Sequence, residues 1–254
     1  MSEQVERAKT DLSSKRGILC KDFNIRSTSE EKWLDFETVN NEETFKLEEL
    51  RGSYAIGGAD LSSTTDLTCA TLLVIKNKKI YVIQHYFIPE DKVEEKENDD
   101  KVPYKKWQER GLLTVCTGAK VDYSDVTKWF LKMHKENDIS ALWVGYDPWG
   151  STYWINEMKE EGFEMEEVIQ GAKTMSNPMK QLEADLKEKK VNYNNNPITK
   201  WCLLNTSIKI DDNDNIRPVK GKKSRQRIDG AVSLIDAYVV LYRKMQDYLV
   251  MQEE

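Results

Sequence analysis

YAIGGAD (54–60), LTCATLLVI (67–75) and KIYVIQHYFI (79–88) follow one another with only short polar breaks. All three are apolar and partly β-branched, the composition of buried strands. Asn77 and Lys78, between the second and third, suit a tight hairpin turn. Three successive strands on short loops make an antiparallel meander. After the meander, LLTVC (112–116) reads as a strand, and Val126, Trp129, Phe130 and Met133 within 123–137 fall at helical spacing. ALWVGYD (141–147) is a continuous apolar run, as a parallel strand buried on both faces would be. A helix over 151–161 ended by Gly162, a strand at 163–169 and a capped helix over 177–190 starting at Asn177 and Pro178 come next. Residues 194–205 suggest a turn into another helix, and 208–219 a hairpin with a polar Asp/Asn turn. The last helix, 228–250, spaces Val232, Ile235, Val239 and Tyr242 helically. A meander followed by alternating helices and strands predicts a mixed α/β sheet with helices on both faces.

The flanks are less regular. Residues 1–50 form a charged lead-in with Trp33, Leu34 and Phe36 as apolar points, expected to lie as an extension on a main domain of 51–254. The run of acids and lysines from Glu90 to Asp100 is expected to be a solvated loop or helix surface.

With 254 residues the chain can bury a sizeable core without disulfides or structural metals. A hydrophobic fraction of 39%, with no apolar run near the roughly 20 residues a bilayer needs, excludes a membrane protein. The polar N-terminus holds no signal-peptide core. Cys20, Cys69, Cys116 and Cys202 form no CxxC pair, which argues against zinc and for a reducing intracellular compartment. His85 and His134 are the only histidines, so hydrolytic chemistry would rest on carboxylates. The net charge of −6 is mild, and local charge matters more for partners.

Three aspartates sit where structure alone would not put them. Asp60 ends an apolar strand, Asp147 ends another just before Pro148, and Asp229 opens the last helix among apolar residues. Ends of parallel strands are where open α/β sheets place their sites. Converging carboxylates repel one another unless a cation offsets them, and hard divalent ions, Mg²⁺ or Mn²⁺, are the usual solution. Two such ions can activate water and stabilise the leaving oxygen of a phosphodiester. Asp66, six residues after Asp60, could join them across the turn. Each also has a plain role available: an Asp before Pro is an ordinary turn residue, and an Asp in a first helical turn suits the dipole. Asp236, later in the last helix, reads as a structural or surface residue. A basic cluster precedes Asp229, comprising Arg217, Lys220, Lys222, Lys223, Arg225 and Arg227. A solvated loop is its plain reading; beside a carboxylate site it reads better as a phosphate-contacting loop that offsets the acids' repulsion of DNA. Trp107, Trp149 and Trp154 could stack on bases, although core packing is the commoner use of Trp.

Six motifs then occur in one order: GGADLSSTTDLT (57–68), VPYKKWQERGLL (102–113), YDPWG (146–150), QGAKTMSNPMKQLE (170–183), NNNPITKWCLLN (194–205) and RIDGAVSLIDA (227–237). In order and spacing they resemble the large terminase subunits of tailed bacteriophages, in the HK97-like group, from about Trp33 to Tyr242. The resemblance implies an RNase H-like nuclease domain that cuts concatemeric DNA during packaging. In that family the carboxylates matching Asp60, Asp147 and Asp229 hold two metal ions, Mg²⁺ or Mn²⁺, and Asp66 is an auxiliary acid. It also implies, as partners in the host cytoplasm, double-stranded DNA, a packaging ATPase domain, the small terminase subunit and the portal. No Walker A loop matches: Gly221-Lys222-Lys223-Ser224 has Ile216 where the earlier glycine belongs. The expectation is the nuclease half, preceded by a remnant of the linker. The competing expectations are another RNase H-like enzyme, of resolvase or RNase H type, or a noncatalytic module that binds DNA or docks on the portal.

Overall fold

The computed structural model describes residues 30–62, 67–149, 152–221 and 226–253. The meander is β2 (Ser53–Asp60), β3 (Thr68–Lys76) and β4 (Lys79–Pro89), antiparallel, with Asp60 opposite Cys69 and Lys76 opposite Lys79. The β3–β4 turn has φ of 52° at Asn77 and 63° at Lys78, the twist a two-residue hairpin needs. Parallel strands extend the sheet on both sides. β5 (Leu113–Cys116) joins the end of β4, β6 (Ile139–Tyr146) joins β2, and β7 (Glu164–Glu167) joins β6. The order is β5-β4-β3-β2-β6-β7, with the two-residue β8 (Val191–Asn192) paired to the start of β4.

Alternation along the strands builds two cores. Ile56, Cys69, Leu73 and Tyr86 pack against Leu234, Ala237 and Leu241 of the last helix, α8 (Asp229–Glu253). On that side also lie α6 (Ala172–Lys187) and α7 (Pro197–Asn205). Ala55, Ala59, Ala70 and Leu72 face the opposite way, onto Val126 and Phe130 of α4 (Tyr123–Lys135) and Trp154 and Met158 of α5 (Thr152–Glu160). The mixed sheet with helices on both faces is the expected one.

The described part of the lead-in is woven into these cores. β1 (Glu30–Lys32) pairs with β9 (Thr206–Ile210), which pairs with β10 (Ile216–Lys220) in a three-stranded antiparallel side sheet. Trp33 and Leu34 are buried in the α8-side core, the short α1 (Phe36–Val39) adds Val39, and Phe45 and Leu50 enter the other core. Phe36 is exposed.

Two expectations change. The helix expected from Asn177 starts at Ala172, with Pro178 inside it. One missing N–H is outweighed by the buried stripe of Met175, Met179, Leu182 and Leu186, which runs through the proline. The acidic run is not wholly solvated. It forms α2 (Val93–Asp100), where Val93, Lys96 and Asp100 are buried, and leads to α3 (Tyr104–Glu109). Among the described residues no helix is long and apolar enough to cross a membrane.

Candidate active site

β2 and β6 run parallel with Gly58 beside Gly145 and Ala59 beside Tyr146, so Asp60 and Asp147 fall at neighbouring positions on the carboxyl-terminal edge of the sheet. The two glycines explain why a helix can lie so close. A Cβ on Gly58 would stand 2.3 Å from the Ser233 carbonyl oxygen and 2.7 Å from the Ala237 nitrogen. A Cβ on Gly145 would stand 2.9 Å from the Asp236 carbonyl oxygen. Side chains two apart share a sheet face, so Asp60 and Asp147 belong to the face that α8 covers. Gly57, on the other face, gives the same room to Val144 and Phe130.

A buried polar network holds the start of α8 to the sheet. Gln84 Nε2 donates to the Gly230 carbonyl at 2.7 Å and to Thr71 Oγ1 at 2.8 Å. Tyr86 and Thr199 hydroxyls donate to Gln84 Oε1 at 2.7 and 2.6 Å, and Ser233 Oγ donates to the Gly58 carbonyl at 3.1 Å. Asp229, only 4% exposed, is thereby held beside the meander. Burial raises the thiol pKa values of Cys69 and Cys202, and the charges of Asp60 and Asp229 add to each rise. Two residues beyond Asp60, the Ser62 carbonyl accepts from the Tyr123 hydroxyl at 2.8 Å.

Of the two places expected for Asp236, structural or surface, it takes the first. It is fully buried on α8, 0% exposed, and not at the surface. Burial pushes its carboxyl well above the usual carboxylate range, the charge of Asp60 and then that of Asp147 push the same way, and a hydrogen bond from Gln170 Nε2 at 3.3 Å opposes them. Helical spacing could not reveal this, because α8 is buried on every side from Asp229 to Leu241.

The basic cluster also divides. Arg227 is 6% exposed and grips Asp100 with two nitrogens, Nε to Oδ2 at 2.9 Å and Nη2 to Oδ1 at 3.1 Å. Tyr104 donates to the same carboxylate at 2.8 Å. Arg227 thus spends Nε and Nη2 on a buried fork with Asp100, a structural role beside the phosphate-contacting one expected of it. Lys220 is exposed at the end of β10, whereas Lys222, Lys223, Arg225 and Asp66 lie outside the described residues. Trp107 and Trp154 are core residues, while Trp149 is 88% exposed. Its backbone N–H donates to Asp147 Oδ1 at 3.2 Å, the turn role open to any Asp before Pro.

All the acids at this edge offer hard oxygen donors, with no histidine or thiolate among them, a set that suits Mg²⁺ or Mn²⁺. Among the described residues no three or more His, Cys, Asp or Glu side chains stand close enough together to hold a metal ion as they are placed. A bound cation would offset the repulsion between these carboxylates.

The strand order, the carboxyl-terminal acid edge and the helix that lies across it define a mixed α/β protein of RNase H-like fold. In the HK97 bacteriophage large terminase crystal structure the same fold is found, with a TM-score of 0.72 at 21% identity over 94% of this chain and 49% of that one. The large terminase nuclease from thermophilic phage G20c gives 0.50 at 14% identity over 84% and 89%. In sequence, the chain is 30% identical to Protein YmfN of Escherichia coli K12 over 95% of its length and 56% of that protein. It is 27% identical to the terminase large subunit of Enterobacteria phage HK97, over 70% of its length and 35% of that protein. Residues 1–244 match the family model described as terminase large subunit, endonuclease domain, and the chain belongs to that family. It spans about half the length, or less, of these two relatives.

Proposed function

We propose that this chain is a divalent-metal-dependent endodeoxyribonuclease that cuts concatemeric viral DNA during packaging. The observation that carries the reading is that β2 and β6 pair up to Ala59 with Tyr146, so that Asp60 and Asp147 follow at adjacent parallel strand ends, under the helix that bears Asp229. These three would hold two Mg²⁺ or Mn²⁺ ions, with Asp66 as an auxiliary acid. When bound, such ions supply an activated water and stabilise the leaving oxygen of a phosphodiester. The chain's own part is to hold the acids rigidly, through the glycine contacts under α8 and the Gln84 network over its first turn. Lys220, with Lys222, Lys223 and Arg225, would bind phosphates without reading bases, so cutting would be nonspecific. The working partners would be a packaging ATPase, the small terminase subunit and the portal, in the host cytoplasm.

Supercoiled plasmid with Mn²⁺, with and without EDTA, tests this. The isolated chain should nick without ATP. Asp60→Asn, Asp147→Asn and Asp229→Asn should each lose more than about a hundredfold, since even an outer partner of a metal ligand is worth 10–100-fold. Each should melt in EDTA no earlier than the parent, because a like charge has been removed. Asp66→Asn should lose part of the activity. An Asp147→Asn chain that melts earlier in EDTA yet nicks at the parent rate would sink the assignment.

A further inference from the structure

Four aspartates are buried among the described residues: Asp100, Asp185, Asp229 and Asp236. A carboxylate taken out of water is costly unless something replaces its hydration. Asp100 has that replacement on both oxygens, from Arg227 and Tyr104. So does Asp185, which accepts from Gln181 Nε2 at 3.0 Å on Oδ1 and from the Tyr238 hydroxyl at 3.4 Å on Oδ2. Asp236 differs from both. Its Oδ2 accepts from Gln170, but its Oδ1 is buried with no hydrogen-bond partner among the described residues.

Its surroundings make the choice of residue stranger. The backbone of Asp236 rests on Gly145, two residues before Asp147, and the charged groups that act on its carboxyl are Asp60 and Asp147. An acid facing acids repels them. For packing alone, Asn or Leu would serve without that penalty. A cation shared with Asp60 and Asp147 would reverse the sign of all three interactions and give Oδ1 a partner. Asp236 also lies seven residues, two helical turns, from Asp229, so α8 carries one carboxylate on each side of the Ser233–Gly58 contact.

We infer that Asp236 is a further cation ligand of this site and that Gln170 positions it. The inference rests on the metal-dependent reading above. It is tested by titrating Mn²⁺ calorimetrically into the full chain without DNA, with melting temperature recorded in EDTA and in Mn²⁺. Asp236→Asn, nearly isosteric, should bind Mn²⁺ at least tenfold more weakly and keep less than half of the parent's Mn²⁺-induced rise in melting temperature. Gln170→Ala should weaken binding several-fold, through the lost hydrogen bond. Asp185→Asn, the buried acid with both oxygens served, should titrate like the parent. If Asp236→Asn binds Mn²⁺ as the parent does while Asp147→Asn does not, Asp236 is no ligand and the metal reading stands. A parent that takes up no Mn²⁺ overturns both. Should Asp236→Asn fail to fold, Gln170→Ala decides, and parent-like affinity there refutes the proposal.

Discussion

Trp149 leaves 88% of its surface in water, and Tyr153, four residues on, leaves 92%. Burying a large apolar side chain is worth roughly 1.5–3 kcal/mol, which both forgo. Ile169, 65% exposed, follows β7, the strand next to β6, so Trp149 and Ile169 both lie just past strand ends at the edge that carries Asp147. An indole here suits the flat face of a base brought up to the acids. Stacking is worth about 1–3 kcal/mol per base and involves no counterion release. Trp149→Ala should therefore weaken binding of single-stranded DNA about 5- to 100-fold in EDTA and leave the salt slope unchanged. Lys220→Ala should instead lower that slope by about one unit. Anisotropy titrations at four salt concentrations separate the two, and parent-like affinity in Trp149→Ala would remove the indole from the binding surface.

The fit of α8 to the sheet is set by two glycines. At Gly58 the atoms a Cβ would meet are backbone, the Ser233 oxygen and the Ala237 nitrogen, so no side-chain rotation can make room. Gly58→Ala should cost about 1–3 kcal/mol in urea unfolding, the usual price of overpacking, and should cut nicking by moving α8 off the acids. Between β4, β5 and α4 a different element contact predicts a pH effect. His85 shares a 2.8 Å hydrogen bond with Thr114 and stacks on Trp129 at 6.1 Å between centroids. Burial, helped by Lys132, lowers its pKa to about 4 from 6.5. The folded chain keeps His85 neutral while the unfolded chain takes up a proton below about pH 6.5, so stability is present above that pH and is lost as pH falls towards 4. The loss is at most about 3 kcal/mol. His85→Gln should flatten the parent's stability profile between pH 6.5 and 4, and an unchanged profile would show that other groups govern it.

Across the whole molecule, distant segments meet at the start of α8. Arg227 joins it to α2 through Asp100, and Gln84 joins it to β4. Breaking a buried ion pair leaves one charge uncompensated and costs about 3–5 kcal/mol. Arg227→Met should show a loss of that order in urea unfolding and reduced nicking, yet the salt slope of DNA binding per folded molecule should stay at the parent value. A slope lower by one unit would place Arg227 in the phosphate-binding set. Replacing Arg227 with Met and Asp100 with Leu together should recover much of the stability, since a well-packed apolar pair can substitute for a buried ion pair.

The sequence by itself determined the sheet and where its acids stand. Strand and helix periodicities are local, and a strand that ends in Asp before Pro announces its own edge, so the meander, β6, Asp60 and Asp147 were legible. The turn into a helix over 194–205 was legible for the same reason, and Asn196 caps that helix, α7, by accepting from Ile198 and Thr199. Only the tertiary structure decided what surrounds a charge. Asp100 belongs to a run of acids like any solvated one, and Arg227 to a basic stretch like any phosphate-binding one, until 127 positions of chain separation close into one ion pair. Asp236 differs from its solvent-facing look-alikes only because protein encloses α8 all the way round, and enclosure is a property of partners, which periodicity along one helix does not encode.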